Sequence, residues 1–273
     1  MRQEEINAAR GAMLMDIRRE ADVALCRSAL YEALALGFRP PTPETLARLA
    51  SPEGASALAD AAAVLDGERN TDLAPLVRRL GPYPLSPQAE ALQASYGHLF
   101  GHTARGCVPP YETEYGEDSP FLPAQEMSDL AAFFRAFGLA LRPAGHERID
   151  HISCECEFLL LLARKEAYAL ERGDQAMREE TRRAARLFLR DHLGRFAPAF
   201  GKRLAREDPG GFYGALGDLC AAFVTEECAW AHVAAGPEVL RLRSPSGADA
   251  PMACGTGEQL LQITRPGALG GSG

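Results

Sequence analysis

Acidic, aromatic and imidazole side chains are concentrated in two short segments near the middle of the chain. The first covers residues 107–116, with the sequence CVPPYETEYG, and the second covers residues 147–152, with the sequence ERIDHI. Two consecutive prolines exclude a helix interior from the first segment, so we interpret both as polar loops beside long helices. Loops on a rigid scaffold often hold binding or catalytic groups. The alternative is that they are merely solvated connections.

A metal site is one chemistry that these side chains could support. His151 and Glu155 are four residues apart, which places both on one face of a helix, and Glu112 and Glu114 could add ligands. A di-iron bundle would require two Glu-x-x-His pairs on separate helices, and the sequence contains none. It also contains no Walker loop, dinucleotide-binding glycine motif, nucleophile elbow or His-Glu-x-x-His motif. We therefore predict no catalytic residues, no metal and no cofactor, with a metal-dependent hydrolase on an all-α scaffold as the alternative.

Asp150 has two interpretations that do not exclude each other. An aspartate before a helical run is a preferred N-cap, worth about 1 kcal/mol. The same carboxylate could contact a ligand. Glu112 and Glu114, taken alone, are more typical of solvated side chains, and His151 taken alone is more typical of a structural histidine.

Three motifs in this order resemble the TorD/DmsD/NarJ family, cytoplasmic chaperones that mature molybdenum enzymes of the dimethyl-sulfoxide-reductase type. They are Tyr96-x-x-Leu99-Phe100, then Pro109-Pro110-Tyr111-Glu112-x-Glu114-Tyr115, then Glu147-Arg148-x-Asp150-His151 before a leucine-rich helix. The form that begins at Cys107 is most similar to the branch that serves type II enzymes. The resemblance spans residues 90–165. Some relatives have Trp in place of Tyr96, and relatives commonly have Pro in place of Ile149.

The resemblance implies a chaperone that binds the twin-arginine leader and the apo form of a molybdopterin-dependent oxidoreductase subunit. It would assist insertion of the molybdopterin guanine dinucleotide and delay export until assembly is complete. Carboxylates would pair with the leader's arginines, and an apolar surface would bind the rest. The motif places His151 as a neutral hydrogen-bonding group whose charge responds near neutral pH. The leader-binding residues implied are Tyr96, Leu99, Phe100, Pro110, Tyr111, Glu112, Glu114, Tyr115, Glu147, Asp150 and His151. A general helical adaptor is the remaining alternative.

The charge balance excludes several classes of partner. The chain has 37 acidic residues against 29 Lys and Arg, a formal net charge of −8. Such a chain repels nucleic acids and anionic membrane surfaces, and it suits a basic partner. No secretory signal is visible, and the longest hydrophobic run, residues 158–163, is far shorter than the roughly 20 residues of a membrane span. We expect a cytoplasmic protein without stable membrane association, as a monomer or a homodimer.

Seven cysteines without regular spacing argue against a disulfide framework. Cys154 and Cys156 are not in a Cys-x-x-Cys arrangement, and we interpret most cysteines as small core residues. Cys107 differs because it lies in the first loop, which makes it the candidate for a reactive thiol.

Helical periodicity dominates the rest of the sequence. Apolar residues recur at steps of three and four over residues 16–37, 87–100, 127–138 and 150–172, and no stretch alternates as a strand would. Further helices are predicted over residues 196–206 and after Asp208-Pro209, and the helix from Asp150 is expected to be central. We predict an all-α, helical-bundle-like domain of about ten helices over residues 1–240. Residues 241–273 are predicted to form an irregular or flexible C-terminal tail.

Overall fold

The chain folds into helices throughout the part that the computed structural model describes, which comprises residues 2–81, 88–101, 105–119, 121–141 and 148–244. Ten α-helices and one short 3₁₀ helix, Glu112–Glu114, lie in these ranges, and no β-strand does. The α-helices are α1 (Arg2–Gly37), α2 (Pro43–Ala50), α3 (Pro52–Arg69), α4 (Leu73–Leu80), α5 (Gln88–Phe100), α6 (Leu122–Ala136), α7 (Ile152–Arg172), α8 (Gln175–Asp191), α9 (Leu193–Glu207) and α10 (Phe212–Trp230). The all-α prediction is confirmed. Of the predicted tail, residues 241–244 are described, and residues 245–273 lie outside the described residues.

Helix α7 is central to the fold. It packs along α1 on one side and also contacts α8 and α9. Ile152, Cys156 and Leu159 are fully buried, and so is most of the apolar stripe that the sequence predicted. Because α7 is covered on several sides, its N-terminal residues, together with Asp150 and His151 just before it, are packed into the fold.

Short-range capping explains where several helices begin. The Ser51 side chain accepts a hydrogen bond from the Gly54 amide and Pro52 follows it, as the Ser-Pro-Glu pattern predicted. The sequence predicted that α10 starts at Asp208-Pro209, but the helix begins later, at Phe212. The Asp208 carboxylate accepts from the Tyr213 and Gly214 amides. Helix α1 also extends back to Arg2, well before the predicted start at residue 16.

Helix α9 contains a proline in its interior. Pro198 has no amide hydrogen, so the Gly194 carbonyl four residues earlier loses its helical partner. That carbonyl accepts instead from the Gly236 amide at 2.8 Å, which fastens the segment after α10 onto α9. The sequence predicted this helix over residues 196–206; in the structure it begins three residues earlier, at Leu193.

A buried charge cluster joins α1, α3, α7 and α10. The guanidinium of Arg27 donates to both oxygens of Glu227 and to Glu166, and Arg69 donates to Glu227 at 2.7 Å. Burial opposes ionisation of Glu227, but the charges and hydrogen bonds of Arg27 and Arg69 outweigh it and lower the pKa of this carboxyl. Trp230 lies beside the cluster, with Arg27 stacked 4.1 Å from its ring centroid.

None of the described helices is both long enough and apolar enough to span a lipid bilayer.

Candidate functional site

Backbone hydrogen bonds join the two motif loops directly. The Glu112 amide donates to the Asp150 carbonyl at 2.9 Å, and the Ile152 amide donates to the Pro110 carbonyl at 2.8 Å. Tyr111 and His151 therefore lie opposite each other in an isolated antiparallel bridge, with ring centroids 5.3 Å apart. The two segments that the sequence singled out form one unit at the start of α7.

Asp150 is fully buried in this unit and is bonded on both oxygens. Arg148 donates to them from Nε at 3.0 Å and from Nη2 at 2.8 Å, and the Thr113 hydroxyl donates at 2.7 Å. The Arg148 guanidinium also lies 4.4 Å from the centroid of the Tyr111 ring. Asp150 does not cap α7, which corrects that interpretation: its carboxylate is committed to side chains instead.

His151 is the residue that caps α7. Its Nδ1 accepts from the Ser153 amide at 3.1 Å and lies 2.7 Å from the Ser153 hydroxyl. Burial, together with the positive charges of Arg39 and Arg148, lowers the pKa of His151 to about 3. The expectation of a charge that responds near neutral pH is therefore wrong, because the imidazole stays neutral well below that range.

Glu112 belongs to a network of charges that the sequence did not reveal. It is fully buried and accepts from Arg195 at 2.6 Å, and it lies 3.1 Å from Nδ1 of His192. Arg195 also donates to Glu126 at 2.7 Å, and Arg243 donates to both oxygens of Glu126. Burial would raise the pKa of Glu126, but the hydrogen bonds and charges of Arg243 and Arg195 lower it.

Arg243 fastens the last described residues to the first loop. It donates to the Thr113 carbonyl at 2.9 Å and to the Glu117 carbonyl at 3.0 Å, and its own amide donates to the Glu114 carbonyl. Glu114 in turn forms an ion pair with Arg105 at 2.6 Å. The partners that hold the first loop at Glu112 and Thr113 thus include residues 80, 83 and 130 positions away, for which the local sequence carries no signal.

The aromatic motif of α5 lies in the core rather than on the loop unit. Leu99 and Phe100 are buried, and Phe100 packs on Phe200 and Tyr213 with ring centroids 6.2 and 5.4 Å apart. Tyr96 is half-buried beside them. Tyr115 is also buried; its hydroxyl donates to the Pro109 carbonyl at 2.9 Å, and its ring contacts Phe196. Their contact with a leader stays a prediction, and the predicted Glu147 lies outside the described residues.

Glu155 is the least satisfied group at the site. It is fully buried on α7, and neither carboxyl oxygen forms a hydrogen bond within the described residues. Burial, followed by the charges of Glu112 and Asp150, raises the pKa of Glu155 well above its ordinary value. In the described ranges, no group of three or more His, Cys, Asp and Glu side chains could hold a metal ion.

Cys107, the candidate for a reactive thiol, is a half-buried free cysteine whose environment disfavours the thiolate. Burial and the nearby charge of Glu207 raise the pKa of this thiol, so less of it is present as the nucleophilic thiolate at neutral pH.

A groove of about 730 Å³ opens beside the loop unit along α7. We call it the α7 groove; most of the side chains that line it are apolar, and its charged lining side chains are partly exposed. Its apolar walls include Phe134, Leu139, Leu141, Phe158, Leu160 and Leu161, and its charged side chains are Arg39, Glu157 and Arg164. Ser153, the hydrogen-bond partner of His151, also contributes to the groove, so it begins within one helical turn of Asp150.

Several proteins of known name are similar to this chain. Chaperone protein TorD of Photobacterium profundum is 30% identical over 142 residues, 51% of this chain and 63% of the relative. The selenate reductase assembly chaperone protein of Thauera selenatis is 36% identical over 137 residues, 49% of this chain and 68% of the relative. The TorD of Vibrio cholerae serotype O1 (strain M66-2) is 29% identical over 138 residues, 50% of this chain and 60% of the relative. The chain thus spans between 60% and 68% of the length of these relatives.

The family comparison agrees with the resemblance seen in the motifs. The model of the nitrate reductase delta subunit family matches residues 62–201, a range that includes the first loop, most of the α7 groove and part of α9. Because this match covers more than half of the sequence, and the similar proteins include TorD chaperones, the chain belongs to the nitrate reductase delta subunit family.

Proposed function

We propose that this protein is an assembly chaperone that binds the twin-arginine leader and the apo form of a molybdopterin-dependent oxidoreductase subunit. The observation that carries the proposal is the α7 groove, which opens beside the joined motif loops. Similar proteins named as chaperones, TorD and the selenate reductase assembly chaperone, support the assignment to protein assembly rather than to catalysis.

The groove has the two properties that a twin-arginine leader requires. Its apolar walls, such as Phe134 and Leu141, can bury the hydrophobic segment of the leader, which stabilises binding by about 25 cal/mol per Å² of apolar surface removed from water. Glu157, which lines the groove, is 47% exposed, although it pairs with Arg39. An exposed carboxylate beside an apolar groove suits an arginine that precedes an apolar segment.

The predicted carboxylates take a different part in this proposal. Glu112 and Glu114 pair with arginines of the same chain, so in the free protein they hold the loops together. Leader recognition then depends on the surface that the loops create, with Glu157 in the groove and Asp150 within one turn of it. Occupying the leader in the cytoplasm would deny it to the export machinery until the subunit has received its molybdopterin guanine dinucleotide. The client then leaves folded, and the chaperone makes and breaks no covalent bond.

The test is calorimetric titration with the leader of a molybdenum oxidoreductase subunit encoded beside this protein. Saturable binding is expected to the natural leader and weaker binding to a leader whose two arginines are changed to lysine, because lysine cannot form the bidentate pair. Equal binding to both peptides would indicate a general helical adaptor. No binding to any twin-arginine leader would contradict the proposal.

A groove substitution supplies the matched control. Leu141 is 39% exposed in the groove and Val64 is 42% exposed on α3, so Leu141→Asp and Val64→Asp place the same charge at comparably exposed positions. We expect Leu141→Asp to weaken leader binding by roughly 10-fold, about 1.4 kcal/mol, and Val64→Asp to leave it unchanged. Equal effects of the two variants would place the leader outside the α7 groove.

A further inference from the structure

We propose that Asp150, Thr113 and Tyr111 form a guanidinium-binding site that Arg148 occupies in the free protein, and that an arginine of the client takes over this site on binding. This inference rests on the proposed function, because it names the group that the leader's arginine displaces. Arg148 is then a stand-in ligand that competes with the client.

The geometry around Arg148 is that of guanidinium recognition. Nε and Nη2 reach the two oxygens of Asp150 at 3.0 and 2.8 Å, which is the planar, two-bond pairing of arginine with a carboxylate. Nη2 also donates to the Thr113 hydroxyl at 2.6 Å, and this hydroxyl donates in turn to Asp150. The ring of Tyr111 covers the guanidinium at 4.4 Å.

The residues that form the site are buried, whereas the Arg148 side chain that occupies it is partly exposed. Asp150 is fully buried and Thr113 is 6% exposed. The Asp150 carbonyl accepts from the Glu112 amide, and the Ile152 amide donates to the Pro110 carbonyl, so the backbone at and after Asp150 is fixed. The Arg148 side chain is 44% exposed. Another guanidinium can therefore approach from solvent and replace that of Arg148 while Asp150 and Thr113 keep their positions.

An exchange of one guanidinium for another avoids the main cost of opening such a site. A buried carboxylate left without a partner is strongly unfavourable, but the incoming arginine restores every bond that Arg148 gives up. Because Arg148 belongs to the same chain, it is present at a high effective concentration and lowers the apparent affinity for the client. Its removal should therefore strengthen leader binding.

The position of the site fits a leader. Asp150 precedes the N-cap of α7, and Ser153, one turn further on, lines the α7 groove. A peptide in which arginine comes before an apolar segment can therefore reach both features. A lysine would fill the site poorly, since an ammonium group cannot bond both oxygens of Asp150 in the same plane.

The experiment compares Arg148→Ala with Arg79→Ala in the full chain. Arg79 is 49% exposed and pairs with Asp218 at 2.9 Å, so it is a matched half-exposed arginine outside the site. We expect Arg148→Ala to bind the leader roughly 10-fold more tightly than the unchanged protein, whereas Arg79→Ala should bind with unchanged affinity. Weaker or unchanged binding by Arg148→Ala would overturn the proposal, since Arg148 would then be a contact or a purely structural residue.

A small-molecule probe separates this inference from the function on which it rests. Methylguanidinium should raise the melting temperature of Arg148→Ala, and methylammonium should not; neither should affect Arg79→Ala. Rescue by methylguanidinium without any leader binding would support the guanidinium site and contradict the proposed function. Leader binding without rescue by methylguanidinium would support the proposed function and contradict the guanidinium site. If Arg148→Ala does not fold, Arg148→Lys replaces it, because lysine keeps the positive charge but cannot form the two-bond pair with Asp150. Arg148→Lys should also bind the leader more tightly than the unchanged protein. Unchanged affinity of this variant would overturn the proposal.

Discussion

Glu155 places a carboxyl group in the protein interior next to two other acids. Glu112 and Asp150 both pair with arginines, and their charges add to the burial that raises the pKa of Glu155. The folded protein therefore binds a proton that the unfolded chain releases above pH 4.5, the ordinary value for this side chain. The contribution of protonated Glu155 to the stability of the folded state is complete below pH 4.5. It decreases as the pH rises from 4.5 through the raised pKa of Glu155 in the folded protein.

Glu155→Gln tests this consequence at the residue scale. Glutamine has nearly the same shape and no charge, so the variant should gain stability relative to the unchanged protein as pH rises above 4.5. The gain should approach about 1.4 kcal/mol per pH unit while Glu155 stays protonated in the folded state. Urea unfolding of both proteins at several pH values above the ordinary pKa of glutamate measures the difference. A constant difference would show that Glu155 titrates alike in both states.

The sequence singled out these two loops, but it did not reveal how their side chains are paired. Pro110, Tyr111, Glu112, Asp150 and His151 all lie where the two loops meet, a contact that the sequence did not predict. Whether a carboxylate is exposed to water or paired with an arginine depends on residues far away in the sequence. The local sequence around the carboxylate does not predict which residues these are. The same holds for His151, whose pKa depends on how deeply the fold buries it.

At the scale of the helices, the junction of α8, α9 and α10 depends on a close approach at Gly194. A Cβ atom at this position would overlap the Leu189 carbonyl oxygen and the Cys228 sulfur. The sequence correctly predicted helices over residues 196–206 and after Pro209, which correspond to α9 and α10. It could not predict that Gly194 and Pro198 lie inside α9, because a carbonyl freed by proline is tolerated only where another donor, here Gly236, reaches it.

Gly194→Ala should therefore destabilise the protein by about 1–3 kcal/mol, since the obstacle includes backbone that cannot move aside. Gly67→Ala is the control: Gly67 lies within α3, and its added Cβ would meet no atom within 4 Å. That change should stabilise the protein by about 0.5–1 kcal/mol through helix propensity. Chemical denaturation of the two variants measures both effects, and a neutral Gly194→Ala would refute the packing argument.

At the scale of the whole molecule, the chain after α10 returns to the motif loops. Arg243 is 6% exposed and joins Glu126 to the backbone of the first loop, while its neighbour Arg241 is largely exposed. The sequence suggested that residues 241–273 form a tail, because the composition there turns rich in Gly, Pro and Ser. The composition of a segment indicates whether most of its residues are exposed to solvent. It cannot predict that one arginine, here Arg243, is buried against the first loop. The division at residue 240 stays a prediction, as does the oligomeric state.

Arg243→Ala should cost about 3 kcal/mol of stability, because it leaves a largely buried Glu126 with Arg195 as its remaining arginine partner among the described residues. Arg241→Ala, two residues away, removes a surface pair with Asp118 and should change stability by less than about 0.5 kcal/mol. Thermal unfolding compares the two. If both variants melt like the unchanged protein, the end of the described chain does not stabilise the loops.

The charge cluster at α1 and α10 also supplies an optical probe. Trp230 is the single tryptophan of the chain, and Arg27, Arg69 and Arg182 stack against its ring at 4.1, 4.9 and 5.6 Å. Intrinsic fluorescence excited at the indole band therefore comes from one place, where helices distant in sequence meet. Its emission will shift when that meeting point separates in denaturant. None of the substitutions above replaces one of these arginines, so the same signal can follow unfolding in all of them without an added label.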